Sequence, residues 1–82
     1  MNYSLTEHAR DALEKRRIVQ EWLDRTFAAP ELVERDAIDT DLEHRLAHIP
    51  EFGGRTLRVI VNVRVYPPRI VTAYFDRRRK KR

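Results

Sequence analysis

The stretch Arg55-Thr56-Leu57-Arg58-Val59-Ile60-Val61-Asn62-Val63-Arg64-Val65 decides the fold class of this 82-residue chain. A leucine and four valines stand at every second position from 57 to 65, with arginine, isoleucine or asparagine between them. Because successive side chains of a β-strand point to opposite faces, this pattern predicts a half-buried strand. We expect its valine face to turn toward a core.

Further strands are predicted on both sides of this stretch. Upstream, residues 42–49 alternate, and the turn residues Pro50-Glu51-Phe52-Gly53-Gly54 separate them from the valine strand, since paired glycines permit positive φ. Downstream, residues 66–69 turn the chain, and residues 70–75 are apolar at all but one position, which is typical of an interior strand. Residues 31–34 are a short strand or an irregular link.

Two helices are predicted ahead of the strands. Residues 4–7 resemble a capping box, and apolar residues then recur at helical spacing over about residues 6–16. A second apolar stripe ends before Pro30, because the residue before proline disfavours helix. The second stripe consists of Val19, Trp22, Leu23 and Phe27, with Thr26 on the same face. The sequence therefore predicts an α+β fold in which two N-terminal helices pack on a three- to four-stranded antiparallel sheet.

Length and charge divide the chain into one domain and a tail. The length suits a single small domain, which we assign to residues 1–75. Residues 76–82 carry six positive charges and one negative, a net +5, so the formal charge of +4 leaves the first 75 residues at −1. A basic C-terminal tail of this kind attracts phosphates or an acidic protein, or simply keeps the protein soluble.

Composition narrows both the chemistry and the location. The chain has no cysteine, which excludes a disulfide scaffold, a thiolate metal site and a cysteine nucleophile. The N-terminus lacks the apolar segment of a signal peptide, and no apolar run reaches the length of a bilayer. We therefore expect a cytoplasmic protein with no membrane partner. A core this small is often stabilised by a partner or a second copy, so a homodimer is one expectation.

Candidate catalytic residues are few. His8 stands at helical spacing from Leu5 and Ala12, on the expected apolar side of the first helix, where a histidine is either a general base or, more often, a packed residue. His44 and His48 share one strand face, but two histidines are too few for a metal site. No glycine-rich phosphate loop or nucleophile motif is present, so we expect neither a metal nor a cofactor.

Basic side chains with an aromatic neighbour are the remaining signal. Arg58 and Arg64 alternate with the valines of their strand, Arg45 lies on the preceding strand and Tyr74 near the end of the last. Across paired strands they would form one cationic face suited to a phosphodiester backbone, although arginines on the wet face of a sheet are ordinary. The predicted nucleic-acid-binding residues are Arg45, Arg64, Arg77, Arg78, Arg79, Lys80, Lys81 and Arg82.

Three segments carry a family resemblance. They are Thr6-Glu7-His8-Ala9-Arg10, Ile49-Pro50-Glu51-Phe52-Gly53-Gly54-Arg55-Thr56-Leu57-Arg58-Val59 and Arg69-Ile70-Val71-Thr72-Ala73-Tyr74-Phe75-Asp76-Arg77-Arg78. Together they resemble a bacterial family catalogued as domain of unknown function 4258, which looks related to the RelE/ParE/BrnT toxin fold. The recurring positions of that family correspond here to His8, Arg58, Thr72 and Tyr74.

The resemblance implies helices packed on an antiparallel sheet and a small antitoxin-like partner protein. That fold hosts ribosome-linked mRNA cleavage, gyrase poisoning and inactive relatives, so the fold alone does not settle function. The chain also departs from many RelE-like nucleases, which use a lysine-rich helix, because Lys15 is its only lysine before the tail.

Three functions are compatible with these features. The first is a toxin-like protein of a bacterial toxin–antitoxin pair that acts on RNA or the ribosome as a metal-independent endoribonuclease. His8, Arg58 and Tyr74 would be its catalytic residues, since arginine stabilises the charge that develops when RNA is cut by its own 2′-hydroxyl. The second is a non-enzymatic module that binds nucleic acid or protein through a basic sheet face and tail. The third is an interaction protein that dimerises through a sheet edge.

Overall fold

The computed structural model describes residues 2–79, which form two helices on one side of a five-stranded sheet. The helices are α1 (Glu7–Lys15) and α2 (Gln20–Ala28). The strands are β1 (Ser4–Leu5), β2 (Leu32–Arg35), β3 (Leu42–Ile49), β4 (Arg55–Asn62) and β5 (Arg69–Asp76). The predicted α+β class and both predicted helices are confirmed. Within residues 2–79, neither helix has the length and apolar character needed to cross a membrane.

The sheet differs from the prediction in strand number and direction. Its order is β1-β5-β4-β3-β2, and β2 to β5 form an antiparallel meander. At the opposite edge β1 pairs in parallel with β5, where the Thr6 amide donates to the Ile70 carbonyl at 3.1 Å. The prediction of three to four antiparallel strands is confirmed for β2 to β5, but it missed the fifth, parallel strand. A two-residue strand is too short for side-chain alternation to show in the sequence.

Short-range signals fix the helix ends and the central hairpin. The Thr6 hydroxyl accepts a hydrogen bond from the Ala9 amide at 3.0 Å and so caps α1. Between the helices, Arg17 turns the chain with a φ of 53°. A 3-10 turn, Pro50–Phe52, joins β3 to β4, and the glycine that follows it, Gly53, has a φ of 69°. The predicted glycine turn is confirmed.

The core lies between the two helices and one face of the sheet. Leu57, Val59 and Val61 of β4 are fully buried there. The other core residues are Ala9, Ile18, Leu23, Ile49, Ile70 and Ala73. The predicted valine face is shorter than expected, because β4 ends at Asn62 and Val63 is 41% exposed.

Candidate functional site

The face of the sheet opposite the helices carries polar side chains and is termed the open face. On it, Glu34 of β2 lies opposite His44 of β3, and Arg58 of β4 lies opposite Tyr74 of β5. Thr56 and Asp76 form the next pair on this face. Because side chains two residues apart share a face, these six residues lie on one surface, where Leu46 and Ile60 stand among them.

Arg58 is the centre of this surface. It is only 7% exposed, although no helix covers the open face. Its Nη2 donates to Asp76 Oδ2 at 2.7 Å, and its Nε donates to the same oxygen at 3.2 Å. Its Nη1 lies 3.3 Å from Glu34 Oε1 and 2.6 Å from His44 Nδ1. Arg58, Asp76, Glu34 and His44, with Asp36 and Arg79 beyond them, are termed the open-face cluster.

The contact with Arg58 selects the tautomer of His44. A guanidinium can only donate hydrogen bonds, so His44 Nδ1 is the acceptor and the ring proton of the neutral histidine resides on Nε2. That nitrogen lies 2.7 Å from Asp36 Oδ1, which accepts its proton. Asp36 is itself held by the amides of Asp39 and Ile38. His44 is therefore a partly buried imidazole with a fixed orientation.

The electrostatics of the cluster favour its ionised form. Hydrogen bonds from Arg58 lower the pKa of Asp76 below its ordinary value, against the opposing effect of burial. Burial is the largest single effect on Arg58 and acts against its charge, but the hydrogen bonds to Asp76 and Glu34 and the nearby charges of Asp76 and Tyr74 together outweigh it, so the pKa of Arg58 is raised. The backbone amide of Asp39, followed by His44, lowers the pKa of Asp36. Arg79 adds a second guanidinium to the cluster, since it donates to Glu34 at 2.8 Å. The cluster thus combines two guanidiniums with three carboxylates, those of Glu34, Asp36 and Asp76.

The predicted catalytic residues are only partly brought together. Arg58 and Tyr74 are direct neighbours across β4 and β5. His8 is exposed on α1, so its assignment to the apolar side of that helix was wrong. The reason is that Leu5 belongs to β1 and does not define a helix face, whereas the buried residues of α1 are Ala9 and Ala12.

His44 is the histidine that contacts Arg58, and sequence reasoning assigned it only to a polar strand face. A signal for this contact was present in the chain. Counting outward from the glycine turn pairs Ile49 with Arg55, and continuing the register pairs Leu46 with Arg58. His44 is then diagonal to Arg58 on the same face, within reach of a long side chain.

The predicted single cationic face is not formed by the strand arginines. Arg45 lies on the helix side, where it donates to the Phe27 carbonyl at 2.9 Å and to Glu43 at 2.8 Å. Arg64 lies in the loop after β4, 3.7 Å from Asp41. Strand alternation explains the separation, because Arg45 is an odd residue of β3 that shares the face of Ile49.

The predicted tail cations differ in their surroundings. Arg77 and Arg78 are exposed, and Arg78 lies 3.7 Å from Asp76. Arg79 is held over the open face by Glu34, and the Thr56 hydroxyl donates to its carbonyl. Lys80, Lys81 and Arg82 lie outside the described residues. Across residues 2–79, no group of three histidine, aspartate or glutamate side chains is arranged to hold a metal ion.

Comparison with protein families identifies one match that covers most of the chain. The family model described as Domain of unknown function (DUF4258) matches residues 5–75. Comparisons with curated proteins and with solved structures gave no match.

Proposed function

The chain belongs to the family described as Domain of unknown function (DUF4258), and we propose that it is an RNA-directed endoribonuclease of the bacterial toxin–antitoxin kind. The observation that supports this proposal is the 2.6 Å contact between His44 and Arg58, with Tyr74 directly opposite Arg58 on the same face. The proposal includes a relationship to the RelE/ParE/BrnT toxin fold. It is supported by the packing of two helices on one side of a sheet, which is the arrangement that the family resemblance implies.

The open-face cluster and the neighbouring Tyr74 together contain the groups that metal-independent RNA cleavage uses. Attack by the 2′-hydroxyl needs a base, a cation for the charge on the phosphate oxygens and an acid for the leaving 5′-oxygen. His44 is the proposed base, Arg58 the charge-stabilising residue and Tyr74 the proposed acid. An incoming phosphate replaces Glu34 on Arg58 Nη1 and draws that nitrogen away from His44, which frees Nδ1 to accept the proton. Asp76 keeps the guanidinium oriented throughout.

The test is to induce the protein in a bacterial host and to map the 5′ ends of cellular RNA minutes later. New ends are expected with the native chain. The variants His44→Gln and Tyr74→Phe are expected to reduce them by about 100-fold or more each, the range for loss of a general acid or base. His8→Gln is the matched control, because His8 is exposed on the helix side, and it should cleave normally. Loss of cleavage with His8→Gln and not with His44→Gln would contradict the assignment.

A second candidate function is a non-enzymatic binding module for nucleic acid or protein. It is supported by the charge balance of the open-face cluster, in which carboxylates already neutralise Arg58, while Arg77 and Arg78 remain exposed. Absence of new RNA ends from a folded protein, together with RNA binding that weakens steeply with salt and is lost on deletion of residues 77–82, would favour this module.

The proposal also includes the cellular setting. We propose a cytoplasmic protein whose target is RNA or the ribosome and whose partner is a small antitoxin-like protein. A homodimer is a further proposal, motivated by the small core, and a constant monomeric mass across a concentration series would contradict it.

A further inference from the structure

A cleft of about 700 Å³ opens on the helix side, where the end of α1, the turn before β4 and the end of β5 meet. Three arginines line it, Arg16, Arg55 and Arg77, together with the rings of Phe52 and Phe75. Arg16 and Arg55 belong to none of the sites described above. The cleft is therefore a second concentration of positive charge, and it adjoins the open-face cluster, because Asp76 and Tyr74 also line it.

Two of these arginines flank the end of the β4–β5 ladder. Thr56 and Asp76 are the last pair of that ladder, and Arg55 and Arg77 are their immediate neighbours. Arg77 begins the turn after β5, and both arginines line the cleft. Like charges that share a cleft repel each other, and a bridging anion would remove that repulsion.

The arginines of the cleft have no carboxylate partner among residues 2–79. Arg16 Nη1 donates to the Ala73 carbonyl at 3.4 Å, and the Arg55 guanidinium lies over the Phe52 ring at 4.6 Å. Asp76 is the one carboxylate among the lining residues. Its oxygens already accept from Arg58 and from the Arg78 amide. Three positive charges thus border the cleft without local compensation.

Aromatic rings form the apolar part of the cleft. Phe52 stacks on Trp22 at 5.3 Å, lies 4.9 Å from Phe75 and is 37% exposed. Arginines beside aromatic rings are the combination that binds single-stranded nucleic acids, because the cations hold the backbone and the rings stack with bases. Trp22 and the Arg55 guanidinium both lie over the Phe52 ring, so a base stacks on that ring when Arg55 turns away to a phosphate. A duplex keeps its bases stacked inside and cannot use such rings.

We propose that this cleft binds the phosphodiester backbone of single-stranded RNA, with one phosphate held between Arg55 and Arg77 and a neighbouring base against Phe52. The inference rests on the proposed function and deepens it, because it names single-stranded RNA as the substrate class and because Tyr74, the proposed acid, lines the same cleft. Arg16 contributes a third cation at the end of α1, where it contacts a following phosphate.

The test uses the full chain carrying His44→Gln, so that RNA is not cut during the titration. Fluorescence anisotropy with a labelled 12-nucleotide single-stranded RNA measures the affinity of this protein and of the same protein that also carries Arg55→Gln and Arg77→Gln. We expect at least a tenfold loss of affinity. The slope of log K against log salt should become shallower by about 0.7, since the one phosphate held between the two arginines contributes about 0.7 on a single strand. The matched control is Arg35→Gln with Arg69→Gln, which removes the same charge from exposed positions elsewhere.

Several outcomes would overturn the inference. The first is a loss of affinity in the Arg35→Gln and Arg69→Gln control as large as that in the Arg55→Gln and Arg77→Gln variant. The second is binding of the corresponding duplex as tight as that of the single strand. The third is competition by inorganic phosphate or a free mononucleotide as strong as that by unlabelled RNA, which would identify a small-anion site. Because the arginines repel each other, the glutamine pair should unfold at the same or a higher temperature than its parent, so lost binding is not lost folding. The variant with Arg55→Lys and Arg77→Lys should restore most of the affinity. A negative result in these binding experiments does not change the result of the 5′-end mapping, so the two proposals fail separately.

Discussion

Alternate residues of β4 experience opposite environments on the two faces of one sheet. Leu57, Val59 and Val61 are fully buried beneath the helices, whereas Arg58, one residue away, is almost as deeply buried on a face that no helix covers. Apolar burial stabilises a fold in proportion to the area removed from water. Burying an unpaired charge costs several kcal/mol, and replacing a buried ion pair by two apolar residues of similar volume often leaves the stability unchanged or higher. The open face therefore carries a charge cluster that folding alone does not require.

The largest expected effect comes from removing the guanidinium of Arg58. Arg58→Ala leaves Asp76 buried without its cation, and breaking one partner of a buried pair costs about 3 to 5 kcal/mol. Chemical denaturation should show that loss in the free energy of unfolding. The matched control is Arg58→Met with Asp76→Leu, which removes both charges and should recover most of the stability. If the double variant is as unstable as the single one, the cluster is required for folding and the comparison of the two faces fails.

On the helix side, Leu57→Ala gives the corresponding apolar measurement. Leu57 is completely buried, so the truncation should lower the free energy of unfolding by about 3 kcal/mol through lost burial and a residual cavity. The matched change outside the core is Val63→Ala, because Val63 is 41% exposed after β4 has ended, and it should cost well under 1 kcal/mol. Equal losses at the two positions would mean that β4 extends further than Asn62.

Most of the fold could be predicted from the sequence because its elements carry strong local signals. The period-two pattern of β4, the glycine turn before it and the threonine cap of α1 each depend on neighbouring residues. The parallel edge strand could not be predicted, because Ser4 and Leu5 are too few for a period and their partner, β5, lies more than sixty residues away. The shortened valine face depends on a local bond, in which Asn62 Oδ1 accepts from the Arg64 amide.

The candidate site could be predicted only in part. Arg58 was singled out because its strand alternates clearly, and Tyr74 because it stands near the end of the strand that follows. His44 was not connected to them, since the contact requires the register of two hairpins at once. The prediction of a single cationic face was wrong for Arg45, because it considered the charge of this residue and not the face of β3 on which its side chain lies. Composition also conceals pairing, since Arg58 and Arg79 are cations in the sequence but partners of carboxylates in the fold.

Acid should weaken the open face more gently than mutation does. The pKa of Asp76 is lowered from its ordinary 3.8 by the hydrogen bond from Arg58, so its contribution is complete above pH 3.8 and is lost as the pH falls through the lower folded value. A protonated carboxyl still hydrogen-bonds Arg58, which limits the loss. Denaturation at pH 2 to 5 should show a shallower acid dependence for Asp76→Asn.

Glu51 contributes to acid sensitivity in both proteins of that comparison. Its pKa is lowered to about 2 by the hydrogen bond from Arg25, so its contribution also disappears between pH 4.5 and 2. The difference between the native chain and Asp76→Asn therefore isolates the open face. Identical acid dependence in the two proteins would mean that Asp76 titrates normally and that the pair with Arg58 is weak.

The smallest effect tests the one buried side-chain polar atom among residues 2–79 that lacks a hydrogen-bond partner. Thr26 is completely buried on α2, and its hydroxyl makes no hydrogen bond within residues 2–79. Thr26→Val keeps the branched shape and removes an uncompensated desolvation cost, so the free energy of unfolding should rise by about 1 kcal/mol. Thermal unfolding should then occur about 4 to 8 °C higher. Thr26→Ser, which keeps the hydroxyl and loses the methyl group, should be destabilised instead. A destabilised valine variant would mean that the hydroxyl has a partner, and that buried polar groups on both faces of the sheet are satisfied alike.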